Sequence, residues 1–189
     1  MKIILKWCCT VLTALMVFAL PGMLTAANDS LQGEQAYTMV NIWYEHRMEI
    51  PSTNYHRGHM LPVGTRVSIE VIDAKQIIFS DADGNKYRIQ AVPEHNTIVG
   101  QELAFRLFSR FDPLAEGGKI SSFTAKEQKF IKSGIYAPGM SKAALLMAYG
   151  YPPTVATPDL TKDVWTYWKS RYDRIIMTFD KGKLSNIRD

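Results

Sequence analysis

The chain has 189 residues, with 22 Lys and Arg, 18 Asp and Glu, four His and two Cys. That length suits one medium domain or two small ones. Two of the basic residues, Lys2 and Lys6, belong to an N-terminal leader, so the formal charge of +4 argues little for a nucleic-acid partner.

Met1 to Ala27 reads as a signal peptide. After the two lysines come an apolar core, Trp7 to Leu20, and a small-residue cleavage site, Leu24-Thr25-Ala26-Ala27. The apolar run is short of the roughly 20 residues that a membrane span wants. A retained anchor is the alternative. Cys8 and Cys9 fall inside the apolar core, not behind a Leu-x-small lipidation pattern. Removing the leader leaves about 160 residues and no cysteine, which excludes disulfides, thiol catalysis and Cys-bound metals from the mature protein. Residues 28–35 are polar and contain a glycine, as in a flexible tail.

Residues 36–95 read as a β-rich domain. Tyr37 to Tyr44 is a strand of β-formers, and Val67, Ile69 and Val71 alternate with polar residues in another. Gln76–Ser80 and Lys86–Ala91 flank the turn cluster Asp81-Ala82-Asp83-Gly84-Asn85. Such short strands predict a small barrel. Asp81-x-Asp83-Gly84 resembles the start of a calcium loop, but Gly84 comes early and Val92 stands where the closing Glu belongs. His56-x-x-His59, with His46 and His95, has no carboxylate or Cys at ligand spacing, so packing or surface roles are expected. Asn54-Tyr55 and Leu61-Pro62-x-Gly64-Thr65-x-Val67 resemble bacterial SH3-like modules, which implies a cell-wall (peptidoglycan) ligand.

Residues 96–119 predict a connecting helix and linker. Asn96-Thr97 is placed to cap a helix running to about Phe111, with Leu103, Leu107 and Phe111 on one stripe. Asp112-Pro113 and Glu116-Gly117-Gly118-Lys119 supply the linker.

Residues 120–189 open with a capping box, Thr124-Ala125-Lys126-Glu127, and the helix it starts ends at Gly134. Ser141 caps a second helix of about two turns, which stops at Gly150 in a left-handed position before Pro152. The period then becomes two, through Val164–Lys169 and Ile175–Asp180, with a hairpin at Asp180–Lys183 leading into Leu184–Ile187. Ile131 to Gly134, Pro138-Gly139-Met140-Ser141, Tyr149-Gly150-Tyr151-Pro152, Trp165-Thr166-Tyr167 and Thr178-Phe179-Asp180-Lys181-Gly182-Lys183 together resemble the SmpA/OmlA (BamE-like) family. That resemblance covers about one-third of the chain. It implies an ααβββ domain and a non-enzymatic role beside outer-membrane assembly components. Family members are typically lipoproteins, whereas this chain has no Cys at its processing site.

Gly139-x-Ser141-x-Ala143 approaches a nucleophile elbow, but every histidine lies upstream and no strand precedes Gly139. The expectation is therefore an exported α+β protein, periplasmic or peripheral to the outer membrane, with no cofactor, no metal and no catalytic residues. Its partners would be an envelope protein, with anionic lipid or peptidoglycan as further surfaces. The candidate contact residues are Trp165, Tyr167, Trp168, Lys169, Arg171 and Arg174, where aromatics adjoin a basic turn.

Overall fold

The computed structural model describes residues 29–53, 55–170 and 172–189. The expected signal peptide, Met1 to Ala27, thus lies outside the described residues, as do Asn54 and Arg171. The fold is α+β, mostly short strands with three α-helices among the described residues.

β1 (Gln35–Thr38) and β2 (Ile42–Tyr44) divide the single strand expected over Tyr37–Tyr44. The ladder breaks because Thr38, Met39 and Asn41 send their N–H groups to three separate neighbours, Thr65, Leu107 and Met147. β3 (Ile50–Pro51), β4 (His59–Leu61), β5 (Arg66–Ile72), β6 (Gln76–Asp81) and β7 (Lys86–Gln90) follow. α1 (Gly100–Leu107) then runs straight into β8 (Phe108–Ser109). The main sheet, ordered β3-β7-β6-β5-β1-β8, curls into a half-barrel, while β2 pairs with β4. Val67, Ile69, Ile77, Phe79 and Ile89 fill its core against Leu103 and Ala104 of α1. The alternation in β5 holds as far as Ile69, where the register shifts and leaves Val71 half-buried. The Asp81 carboxylate accepts from Asp83 N, Asn85 N, Asn85 Nδ2 and the Tyr87 hydroxyl. Its four lone-pair sites are thereby spent on the hairpin turn.

Three expectations change in this half. The flexible tail over 28–35 is corrected from Asp29 onward: Leu31 is buried in the core, and Gly33 N–H and Gln32 Oε1 bond Ile69 O and Ile72 N. Polar composition concealed one buried leucine. The connecting helix is shorter than 96–111: it begins only at Gly100, and the Asn96 side chain sits in the turn ahead of it, its Oδ1 accepting from Ile98 N and Thr154 Oγ1 and its Nδ2 donating to Ser52 O. At the other end Phe108 pairs with Thr38, so Phe111 leaves the stripe and stands 81% exposed. The linker is also tied down: Leu114 packs on a second core, and a 3-10 turn over Lys119–Ser122 buries Ile120 there.

The second half is α2 (Ala125–Ser133), α3 (Lys142–Tyr149), β9 (Val164–Trp168), β10 (Arg174–Asp180) and β11 (Lys183–Arg188). The strands form an antiparallel meander, β11-β10-β9. Both helix starts are capped where the sequence places them. Thr124 Oγ1 accepts from Glu127 N at 3.3 Å, the Glu127 carboxylate reaches back to Thr124 N at 3.2 Å, and Ser141 Oγ accepts from Ala144 N at 3.3 Å. Thr124→Ala should cost about 1 kcal/mol, seen as a lower urea midpoint at unchanged slope. Gly150 has positive φ, 79°, but its ψ of −176° is extended, which corrects the left-handed helical position expected there.

The two halves meet across a polar and aromatic junction. Asn41, fully buried, donates its N–H to Met147 O at 3.1 Å and its Nδ2 to Ile131 O at 2.7 Å and Ala148 O at 2.9 Å. Its Oδ1 accepts from Val63 N at 2.7 Å. One side chain with its backbone thus serves last-turn carbonyls of both α2 and α3, where the intrahelical donors run out; Ile131 O also accepts from Gly134 N at 3.2 Å. Gly134, left-handed at φ 65° and ψ 27°, lets α2 end against β2 and β4. A Cβ there would lie 2.5 Å from Met60 Sδ and 2.8 Å from the Trp43 ring. His56 completes the junction, its ring stacked on Tyr149 at 3.4 Å and its Nε2 donating to Tyr149 O.

Candidate interaction surface

β9 alternates as its sequence requires, and each face has a different cover. Trp165 and Tyr167 point toward α3, beside Leu145 and Tyr149, and are 1% and 0% exposed. Trp165 Nε1 donates to Lys162 O and the Tyr167 hydroxyl to Gly150 O, both at 3.0 Å. These two residues are core, so their place among the candidate contact residues is corrected. The helix that covers the sheet takes that face completely.

Trp168 faces the other way and is half-buried. Arg174, its cross-strand partner, lays its guanidinium 4.4 Å from the ring centroid, and the His95 ring approaches at 5.1 Å. That geometry suits cation–π attraction. Trp168 Nε1 is enclosed and has no acceptor among the described residues. Lys169 Nζ lies 2.6 Å from Asp189 Oδ2, and this hydrogen bond raises the lysine pKa. Asp173 O closes the turn by accepting from Lys169 N and Ser170 N. Arg174 is exposed, and Arg171 lies outside the described residues.

The structure brings Trp168, Lys169 and Arg174 together and adds residues that sequence reasoning missed. Tyr172, 85% exposed, stands in the same turn. His95 arrives from the first half, and Asp189 offsets Lys169. A large aromatic in a polar turn was the available signal for Tyr172. Nothing local marks His95 or Asp189. The middle of the β9 edge is closed to strand addition, since Thr157 Oγ1 accepts from Thr166 N at 2.8 Å and donates to Thr166 O at 3.3 Å.

Other candidate sites disperse. His46 and His59 are exposed on the first half, His56 lies in the junction and His95 is against Trp168. Among the described residues no three His, Cys, Asp or Glu side chains gather in a metal-binding arrangement. The hydroxyl of Ser141 caps α3, while its N–H donates to Glu127 Oε1 at 2.8 Å. Glu127 is itself held by Lys183 Nζ at 3.1 Å. Burial favours its protonation, but bonds from Ser141, Lys183 and Thr124 prevail and hold its pKa at about 2. A cleft between α1 and β3, lined by Ile50, Ser52, Asn96, Arg106 and Tyr151, measures about 30 Å³. That is the space of a single water. A shallow hollow of about 290 Å³ lies over Tyr44, Glu45, Glu49, Tyr55 and Arg57. Among the described residues no helix is long and apolar enough to cross a membrane.

Comparison with family models, curated proteins and solved structures finds no match to this chain.

Proposed function

We propose that the protein is a non-catalytic accessory factor of the cell envelope that acts by docking on a protein partner. The observation that carries this reading is the corner formed by Trp168, Arg174 and Tyr172. There a half-buried indole is braced by a guanidinium, with an exposed phenol in the adjoining turn. Trp, Tyr and Arg are the residues that most often anchor protein interfaces, because each joins a large contact area to a polar handle. The resemblance of residues 120–189 to SmpA/OmlA proteins supports the envelope setting, and the leader supports export to the periplasm or the outer-membrane surface.

The corner is tested by charge reversal and crosslinking in intact envelopes. A photo-crosslinker at Tyr172 is expected to capture a discrete protein partner. Lys169→Glu with Arg174→Glu should reduce that adduct at least tenfold while leaving the melting temperature nearly unchanged. A folded double variant that still crosslinks like the parent would place the interface elsewhere. A second reading, a peptidoglycan-binding module, draws on the SH3-like motifs and on the hollow over Tyr44, Tyr55 and Glu49. Sedimentation with purified sacculi separates it from the first.

A further inference from the structure

The two faces of the meander β11-β10-β9 carry different chemistry. Trp165, Tyr167, Ile175, Met177, Phe179 and Leu184 form the inner face, in one core with Leu145 and Tyr149 of α3. The alternate residues of β9 and β10, among them Trp168, Arg174 and Ile176, turn the other way. Unbroken alternation from Leu184 would send Arg188 inward with the core. The register prevents this: Phe179 pairs with Leu184 but Thr178 with Asn186, so Ser185 is the extra residue of a bulge. Ile187 therefore turns toward the core, and Arg188, opposite Ile176, turns outward. The bulge thus places Arg188 on the face of Arg174 and diagonal to it, with Cα atoms about 7–8 Å apart.

Both arginines are exposed, and neither has a carboxylate partner or a side-chain hydrogen bond among the described residues. Arg174 is nevertheless held in place, 4.4 Å from the Trp168 ring centroid, with its N–H groups unspent. The acids close by are engaged, Asp189 with Lys169 and Asp173 with the Ser170 hydroxyl at 3.1 Å. Asp180 shares the outer face but stands at the far end of β10, about 20 Å from Arg174. The charge that complements the two guanidiniums must come from outside the chain. An anionic lipid surface is drawn by clusters of about four to eight basic side chains, more than this face holds. Two guanidiniums beside half-buried Ile176 and Trp168 suit instead a carboxylate on a segment that also covers apolar surface.

We infer that the outer face of the meander receives an acidic segment of the partner protein, with one Asp or Glu carboxylate held between the Arg174 and Arg188 guanidiniums. The segment lies across Ile176 and reaches the Trp168 corner. This rests on the docking reading of that corner and names the chemistry of what docks there.

The test uses the full chain in intact envelopes. Arg188→Lys puts a primary amine on the face, and a water-soluble carbodiimide joins an amine to a carboxylate only where the two touch. Mapped by mass spectrometry, the amide bond is expected to run from position 188 to an Asp or Glu of the same protein that the Tyr172 photo-crosslinker captures. Lys132, exposed on α2, gives the background, which the adduct at 188 should exceed about tenfold; adding Arg174→Gln should remove most of that excess. A tenfold change is what one charge-assisted hydrogen bond commands. Both arginines are exposed, and circular dichroism checks the fold of each variant. Capture at Tyr172 with only background adduct at 188 overturns the carboxylate inference and leaves the docking reading standing. Absence of capture at Tyr172 ends both. If the 188 adduct is missing and the parent floats with vesicles of phosphatidylethanolamine and phosphatidylglycerol only while Arg174 and Arg188 are intact, the face belongs to lipid and the inference is overturned.

Discussion

Replacing Asn41 with leucine is expected to come close to unfolding the protein. The new side chain has nearly the same volume but leaves Val63 N–H and the Ala148 carbonyl without these partners at a buried site, and leaves the Ile131 carbonyl only its 3.2 Å bond from Gly134 N. Each orphaned group costs about 1–3 kcal/mol, so a total loss of about 4 kcal/mol is reasonable. Small domains hold only about 5–15 kcal/mol in all. Asn41→Asp should be worse near neutral pH, because it directs a carboxylate at two carbonyl oxygens, and it should recover partly in mild acid as that carboxylate protonates. Urea denaturation across pH measures both variants. If Asn41→Leu loses under 1 kcal/mol, water fills the junction and the asparagine does not tie the halves together.

Acid should destabilise the protein in two steps with separate origins. Burial among aromatic rings lowers the His56 pKa from 6.5 to about 3, against the opposing pull of the Tyr149 carbonyl. Below pH 6.5 the unfolded chain binds a proton that the native chain refuses, so stability falls with falling pH until about pH 3. The slope is about 1.4 kcal/mol per pH unit at its steepest. The ring retains some exposed edge while its Nδ1 is enclosed, which favours a total below the full value. Glu127 acts lower. Its folded pKa of about 2 against a reference of 4.5 contributes stability that is complete above pH 4.5 and lost as pH falls through 2. That difference is worth about 3 kcal/mol. His56→Phe should flatten the profile between pH 6.5 and 4.5 and leave the lower limb, whereas Glu127→Gln should do the reverse. A profile for His56→Phe that matches the parent would show that His56 titrates normally.

The candidate surface was legible in part, and the residues show why. Period-two alternation put Trp165 with Tyr167 and Trp168 with Thr166, and the structure keeps that division. Alternation cannot say which face a helix will cover. α3 takes the Trp165 face completely, while a loop from the other half brings His95 to Trp168. Lys169 looked like free charge until the chain terminus brought Asp189 to it. Leu31 looked like part of a tail because its neighbours are polar, yet the half-barrel needed one more apolar side chain.

What the sequence determined by itself are the features whose physics is complete within about four residues. The α+β character, the Thr124–Glu127 and Ser141 caps, the Gly134 stop and the Asp180–Lys183 hairpin all belong to that class. Each rests on a donor, an acceptor or a φ angle supplied by near neighbours. Tertiary structure alone decided the end of α1 at Phe108, the burial of Leu31 and the junction at Asn41. The partners of Asn41 Nδ2 lie 90 and 107 residues along the chain. A polar side chain gains from burial only when donors and acceptors converge on it in space, and no local pattern in the sequence records that convergence.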